Sequence, residues 1–434
     1  NQSFSPSKTI RLVVFAAFPT FAAERNIFRT KKVGMRIFVL LSRIPWPLEK
    51  GDKLRAFNQV KQLSERNEII LCALNSDHNA DKQSAFKALQ PYCRSVNFID
   101  LPRITIGWNV LKAWVSGRPL QSGYFYSSSA QKRVNSLIQE YKPDLIYGQL
   151  LRVAEYIRHQ KLPKVIDYQD VFSMGMKRRY EIAGFLTKPF FYTEYQRLKR
   201  YEHQIFDAVD IKTIISLPDR EHIDHPKRDE ILIIPNGVDH DFFHPLEIPK
   251  THDIVFTGNM AYPPNVNAAK FLVHDIMPIV WTSIPDAKLL IAGATPDKSV
   301  KDLASGKVSV SGWLDDIRTS YAGSSIFIAP MRIGTGLQNK LLEAMSMKIP
   351  CITTSLANSA LKGIPGEHLL VGDDKNELAK HIIQLLTEKE TANQLAQSGY
   401  DFVMLNYDWK GATSELLNAM SELTSNSGNH AKLL

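Results

Sequence analysis

The sequence predicts an α/β protein built from two doubly wound domains in series, and three observations predict it. The first is length: 434 residues exceed what one hydrophobic core usually organises. The second is alternation, since short apolar runs separated by helical stretches recur through both halves, as in parallel sheets covered by helices. The third is one unit, residues 326–354, which reads strand, glycine turn, helix, strand.

Composition narrows the class. At 44% apolar and 22% charged residues the chain has neither the bias of a disordered segment nor that of a disulfide scaffold. Cys72, Cys93 and Cys351 are widely spaced without metal-binding spacing, which suits buried thiols of a reducing compartment. A formal charge of +9 favours acidic partners such as sugar nucleotides or anionic lipid headgroups. No nucleic-acid motif and no long Lys/Arg block accompanies that charge, so nucleic acid is not expected as a partner.

Residues 1–34 precede the first strand pattern. Residues 12–23 are apolar but short and interrupted by Pro19, with Arg11 beside them, the outline of a weak signal peptide more than of a membrane span. Because Met35 opens the first strand directly, the segment reads as an N-terminal arm or a mis-assigned upstream stretch.

Residues 35–245 form the first domain. Arg36–Leu41 is a near-continuous apolar run, hence a buried parallel strand. Gly51 and Asp52 then give a turn and an N-cap, and a helix follows to residue 66 with Leu54, Phe57, Val60, Lys61 and Leu63 near helical spacing. Lys53 and Arg55 place positive charge in its first turn against the helix dipole, which invites an anion to be held there. Further strands are predicted at residues 69–74, 144–148, 165–167, 211–215 and 231–234. Ligands bind beyond the carboxyl ends of such strands, which singles out Arg43, Tyr147, Gln149, Asp167 and Asp170.

Residues 104–126 break the alternation. Trp108, Leu111, Trp114 and Val115 share a helix face flanked by Lys112 and Arg118, the pattern of a helix lying at a bilayer surface or, equally, of one facing the core. Lys177, Arg178 and Arg179, with Arg197, Lys199 and Arg200, form a second basic region suited to anionic lipid.

Residues 234–245 close this domain with turn chemistry, and 246–252 read as the linker. The second domain, 253–405, repeats the alternation with strands at 254–257, 288–292 and 308–311 and helices at 265–281 and 315–321. The 326–354 unit follows. Gly334 and Gly336 stand before its helix, where the backbone turns tightly and free N–H groups with the helix dipole receive an anion. At about 100° per residue, Leu337, Leu341, Ala344 and Met345 fall on one side, and Asn339, Lys340 and Glu343 on the other. Lys340 suits a phosphate and Glu343, one turn on, suits paired hydroxyls such as those of a ribose; together they describe a nucleotide. An i,i+3 surface ion pair is the alternative reading of the same two residues, and neither a Walker pattern nor G-x-G-x-x-G is present to decide between them. Helices at 376–386, 391–405 and 407–420 end the chain, with 406–434 as a C-terminal helix and tail.

In this order and spacing the residues resemble those of the GT4 family of glycosyltransferases, whose GT-B fold is two facing Rossmann-like doubly wound domains with an interdomain cleft. The resemblance covers about Met35 to Met420. It rests on Lys50-Gly-Asp-Lys53, Ile234-Pro-Asn-Gly-Val-Asp239, Phe256-Thr-Gly-Asn-Met260, Leu290-Ile-Ala-Gly293, Val310-Ser-Gly-Trp-Leu-Asp-Asp316 and, above all, Gly334-Thr-Gly-Leu-Gln-Asn-Lys-Leu-Leu-Glu-Ala-Met345. It is nearest to a bacterial branch associated with exopolysaccharide and surface-glycan synthesis, where Gly-Asp-Lys and Gly-Asn-Met-x-Tyr-x-Pro-Asn are usual.

By that resemblance Glu343 holds the donor ribose, Gly334, Thr335, Gly336 and Leu337 meet the pyrophosphate and sugar, Gly51 approaches from the opposite domain, and the nucleobase lies near Gly312 and Trp313. Three departures stand out. Thr335 occupies the place where the family often has a first glutamate. Gly258, Asn259 and Met260 stand where many members carry an Arg/Lys phosphate clamp, leaving Arg332, Lys340 and Lys53 to meet the phosphates on the donor side with Asn259. No first-domain histidine is evident; Tyr147 and Gln149 occupy its place, with Arg43, on the acceptor side.

The resemblance implies a retaining, metal-independent hexosyltransferase that moves a sugar from a UDP- or GDP-sugar to a glycan or lipid-linked acceptor, without a cofactor. It further implies a cytoplasmic protein, or one peripheral on the inner face of the plasma membrane. Asp167 and Asp170 are the candidate catalytic carboxylates. A sugar-nucleotide epimerase of the same fold and a non-catalytic nucleotide- or glycan-binding partner subunit are the alternative readings.

Overall fold

The computed structural model describes residues 34–334 and 336–430, with side chains to residue 425, so the expectations for the N-terminal arm and for Thr335 lie outside the described residues. Two parallel sheets organise the chain. The first holds β1 (Arg36–Leu41), β2 (Glu68–Asn75), β3 (Ser95–Asp100), β4 (Leu145–Gln149), β5 (Lys164–Asp167), β6 (Ile211–Ile214) and β7 (Leu232–Ile233), in the order β3-β2-β1-β4-β5-β6-β7. The second holds β8 (His252–Thr257), β9 (Leu289–Ala292), β10 (Val308–Gly312), β11 (Ser324–Ala329), β12 (Cys351–Thr353) and β13 (Leu370–Val371), in the order β10-β9-β8-β11-β12-β13. Strand order reverses between β1 and β4 and between β8 and β11, which leaves a crevice at the carboxyl ends of each sheet.

Both faces of the first sheet are covered, which is why its strands read as unbroken apolar runs. Phe38 and Leu40 of β1 face Val134 and Leu137 on one side, while Ile37, Val39 and Leu41 pack with Val60 and Leu63 on the other. Leu416 and Met420 of the C-terminal helix (Trp409–His430) belong to that second cluster, so the end of the chain returns to the first domain and completes its core. The chain therefore passes between domains twice, and the passages are joined. The Val238 amide donates to the Tyr407 carbonyl at 2.9 Å, and a Cβ on Gly237 would lie 2.4 Å from the Trp409 amide nitrogen.

Several expectations are refined. β3 and β13 are additional strands at sheet edges. The helix expected at 265–281 starts at Pro263 and runs through a π turn, Leu272–Ile276, to Ser283. In the Arg103–Val115 helix only Ala113 is buried; Trp108, Leu111, Trp114 and Val115 are exposed, so their shared face looks outward and not into the core. Cys72 and Cys351 are buried thiols, and burial pushes Cys72 up to about 12. Among the described residues no helix is long and apolar enough to cross a membrane.

Candidate functional site

Loops at the carboxyl ends of β8 and β9 meet backbone to backbone. Gly258 and Gly293 have φ of +151° and +135°, and a Cβ on Gly293 would sit 1.9 Å from the Gly258 carbonyl oxygen, so nothing larger fits. A Cβ on Gly258 would in turn lie 3.3 Å from the Lys340 ammonium. The bare glycine surface thus forms a floor above which Lys340 is free to stand.

Lys340 belongs to the Asn339–Ser346 helix, which buries Leu341, Leu342, Ala344 and Met345 and has no side-chain cap at its start, the Leu341 amide turning back to the Gln338 carbonyl at 2.9 Å. Lys340 Nζ donates to Asn265 Oδ1 at 2.5 Å and lies 4.9 Å above the Phe256 ring. Burial pulls the ammonium down to about 7, with Glu343 opposing. The Tyr321 hydroxyl donates to Glu343 Oε2 at 2.7 Å and is itself paired with Thr257 Oγ1 at 2.7 Å. Burial raises the Glu343 carboxyl, while Tyr321 and Lys340 lower it. The surface ion pair is not what forms: each residue is half-buried and turned to its own partner. The result is a lysine one helical turn from a carboxylic acid, each half-buried and held by its own neutral partner.

The neighbouring donor-side residues divide. Gly312 adopts φ +69° beside Trp313, whose ring is 62% exposed and free to be stacked upon. Gly334 adopts φ +99°, Gly336 accepts from Gln338 Nε2 at 2.8 Å, and Leu337 packs on the core. Asn259 is occupied with its own loop, accepting from the Ala261 amide and Thr295 Oγ1, each at 3.0 Å. Arg332 is not brought to Lys340. It is exposed, bonded through Nε to Asn267 at 3.2 Å, with its guanidinium 4.0 Å over Phe271.

On the first-domain side Gly51 faces the start of the same helix, since a Cβ there would be 4.0 Å from Asn339 Nδ2. Asn236 Nδ2 donates to Asn339 Oδ1 at 3.0 Å, and Asn236 Oδ1 accepts from Arg55 Nη1 at 2.9 Å. Arg55 clamps Asp167 through Nε at 2.6 Å and Nη2 at 3.2 Å, both side chains fully buried, with Thr213 Oγ1 donating at 2.9 Å. Asp167 therefore does not reach the cleft, and neither does Tyr147, whose buried hydroxyl donates to Gln59 Oε1 at 2.7 Å. The anion that Arg55 requires is Asp167 itself. The helix N-cap also differs from expectation: Lys50 occupies it without a side-chain bond, and Asp52 instead pairs with Arg43 at 3.2 Å. Arg43, Asp52, Lys53 and Gln149 line one recess, where burial lowers Lys53 and Glu49 raises it.

Asp170 is different from Asp167. It is open to solvent just beyond the end of β5, where partial desolvation by the surrounding protein raises its carboxyl while Arg178 and Arg152 lower it. Its charge is felt by Tyr262 of the second domain, whose phenol is raised by burial and then by Asp170. Arg178 acts on the same phenol in the opposite sense, so the first domain brings a carboxylate and a guanidinium within electrostatic reach of Tyr262. Tyr262 and Asn265 were signalled by the Gly-Asn-Met-x-Tyr-x-Pro-Asn string at 258–265, Asn236 by the 234–239 string and Arg55 by its charge against the helix dipole; Arg152 and Tyr321 carried no local signal.

Among the described residues one group could offer three ligands to a metal, namely His203, Asp207 and His225. His225 Nδ1 accepts the Lys227 amide at 3.1 Å, so Nε2 carries the proton toward Asp207 at 3.2 Å, and the group reads as a bonded pair rather than a ligand set.

Residues 251–388 match the family described as glycosyl transferases group 1. A Klebsiella pneumoniae protein described as an uncharacterized 44.6 kDa protein in the cps region is 23% identical over 405 residues, covering 88% of this chain and 98% of that one. Among solved structures, sucrose-phosphate synthase from Thermosynechococcus elongatus superposes with a TM-score of 0.68 at 16% identity, over 90% of this chain and 100% of that one. Anabaena HepE, in complex with UDP and glucose, does so with 0.63 at 14% identity, over 90% and 100%.

Proposed function

From a chain that has the GT-B fold and whose residues 251–388 match the group 1 glycosyl transferases, we infer a retaining enzyme that moves a sugar from a nucleoside diphosphate to a surface-polysaccharide acceptor at the cytoplasmic face of a membrane. One observation carries this: Lys340 and Glu343 stand a turn apart on the cleft floor, each braced by a neutral partner and neither paired to the other. The spacing fits a phosphate at Lys340 and a ribose diol at Glu343 Oε1.

Breaking the bond to the anomeric carbon leaves oxocarbenium-like charge on the sugar and negative charge on the departing diphosphate. Lys340 and the uncapped amides of its helix stabilise that diphosphate, supplying charge without a metal. Trp313 stacks on the base. Asp170, with Arg178 and Tyr262, meets the acceptor hydroxyl, its raised carboxyl suiting proton exchange. Asp167 is a positioning residue that holds the first helix through Arg55. The HepE complex with UDP and glucose supports a UDP-sugar donor, and the Klebsiella relative's cps region supports the surface-glycan assignment.

Labelled UDP- and GDP-sugars incubated with the protein and a membrane extract test this. Acceptor-dependent transfer, with the anomeric configuration retained by NMR and turnover surviving EDTA, is expected. Epimerised sugar formed without acceptor, or nucleotide binding without turnover on any donor, would overturn it.

A further inference from the structure

The first domain carries a cavity of about 420 Å³ lined by Arg43, Ser76, Val110, Tyr124, Phe125 and Arg152. Its chemistry is set by Arg152. The guanidinium lies 5.1 Å from the ring centroids of both Phe125 and Phe172, and Nε donates to the neutral Gln121 at 3.3 Å. Among the described residues Arg152 forms no ion pair, whereas Arg43, across the same cavity, is matched by Asp52 at 3.2 Å. Burial and then the charge of Arg43 push Arg152 down to about 10, with the weaker effects of Asp52 and Asp170 only partly opposing them. A half-buried cation beside a second cation is a place where an added anion is favourable twice over, since it relieves the repulsion and replaces lost hydration.

The cavity rim continues into apolar surface. Val110 lines the cavity from the Arg103–Val115 helix, and on that helix Trp108, Trp114 and Val115 are 59%, 57% and 76% exposed. Cations flank this face: Lys112 Nζ lies 5.6 Å over the Trp108 ring, and Arg197 Nη2 donates to the Trp114 carbonyl at 3.0 Å. An anion pocket opening beside an apolar, tryptophan-bearing face matches a molecule with a phosphate head and a hydrocarbon tail.

We propose that this cavity binds the phosphate-bearing head of a lipid-linked sugar acceptor, with Arg43 and Arg152 on the phosphate oxygens and the hydrocarbon chain along the exposed face of the Arg103–Val115 helix. This rests on the glycosyl-transfer reading and names the acceptor class.

The test is co-sedimentation with phosphatidylcholine vesicles carrying either an isoprenoid diphosphate sugar or phosphatidylglycerol at equal charge, with UDP binding followed separately by thermal shift. The protein should prefer the isoprenoid diphosphate vesicles by at least about tenfold. Arg152→Met should erase that preference while UDP binding is kept, and Trp108→Ser with Trp114→Ser should weaken both vesicle types. Should Arg152→Met fail to fold, Arg43→Gln carries the same comparison. Equal binding to charge-matched vesicles would overturn the head-group site, and equal affinity for a soluble sugar diphosphate would overturn the lipid. Loss of UDP binding by the unaltered protein would instead strike the glycosyl-transfer reading on which the proposal rests.

Discussion

Raising the pH should weaken donor binding through one lysine. Burial holds the free Lys340 ammonium at about 7, so half of it is charged at about pH 7 and only about 3% at about pH 8.5. A bound diphosphate returns the ammonium toward its ordinary range, so the complex keeps its proton while the free protein loses it. Apparent affinity then falls by about 15-fold across that interval, or ~1.6 kcal/mol, an upper value that assumes the neutral amine does not bind. A nucleoside diphosphate sugar is the right probe, because both of its phosphates are esterified and stay singly charged. Calorimetry in buffers of different ionisation enthalpy should also show proton uptake on binding near neutrality. Folding cannot account for the loss: a lysine held low when folded binds fewer protons than when unfolded, so its contribution to stability rises with pH between about 7 and about 10.5. Lys340→Met should bind weakly and with little pH dependence. A wild-type affinity that changes less than about twofold would refute the reasoning.

Glu343→Ala should weaken nucleotide binding by about tenfold to a hundredfold, the worth of charge-assisted bonds to a diol, measured by calorimetry; an unchanged Kd would remove the ribose assignment. Arg55→Met leaves Asp167 buried and without its cation, and should lower the stability of the first domain by about 3–5 kcal/mol in urea titration, while Lys298→Met, which breaks only an exposed pair with Asp302, has no measurable effect. Glu202, buried and accepting from the Ser173 amide and hydroxyl at 2.9 and 2.6 Å, is raised by burial to about 7. It therefore binds more protons folded than unfolded between about pH 4.5 and about pH 7, and stability should fall as pH rises through that window, by up to ~3 kcal/mol. Glu202→Gln should flatten that slope in melts recorded at each pH.

What the sequence disclosed follows from the range over which its signals act. The 326–354 unit was legible because strand, glycine and helix signals are local, and helical spacing alone placed Lys340 and Glu343 on the side opposite Leu341 and Met345. β3 was missed because an edge strand carries no unbroken apolar run: Ser95–Asp100 is half-buried along most of its length. The Arg55–Asp167 pair joins residues 112 positions apart, and no local pattern reports such a contact, so a charge against the helix dipole was attributed to a ligand when a strand end supplies the anion. Periodicity likewise gave the tryptophan face without its direction, since the same spacing serves a core or a surface. Lys340 and Glu343 were also read as a possible ion pair because sequence shows separation but not rotamer, and only Asn265 and Tyr321 turn the two apart.

The seam at Val238 and Tyr407 governs how the halves can move. A body tied to another at two distant points is locked, whereas two ties fastened side by side leave one swing about a short axis. Displacement grows with distance from that axis, so the lip of the gap opposite the seam travels while residues beside it scarcely shift. Asn236 is the immediate neighbour of Gly237, and it holds Asn339 at 3.0 Å. The start of the nucleotide helix is consequently anchored at the pivot, and opening admits a substrate without unseating the amides that receive it.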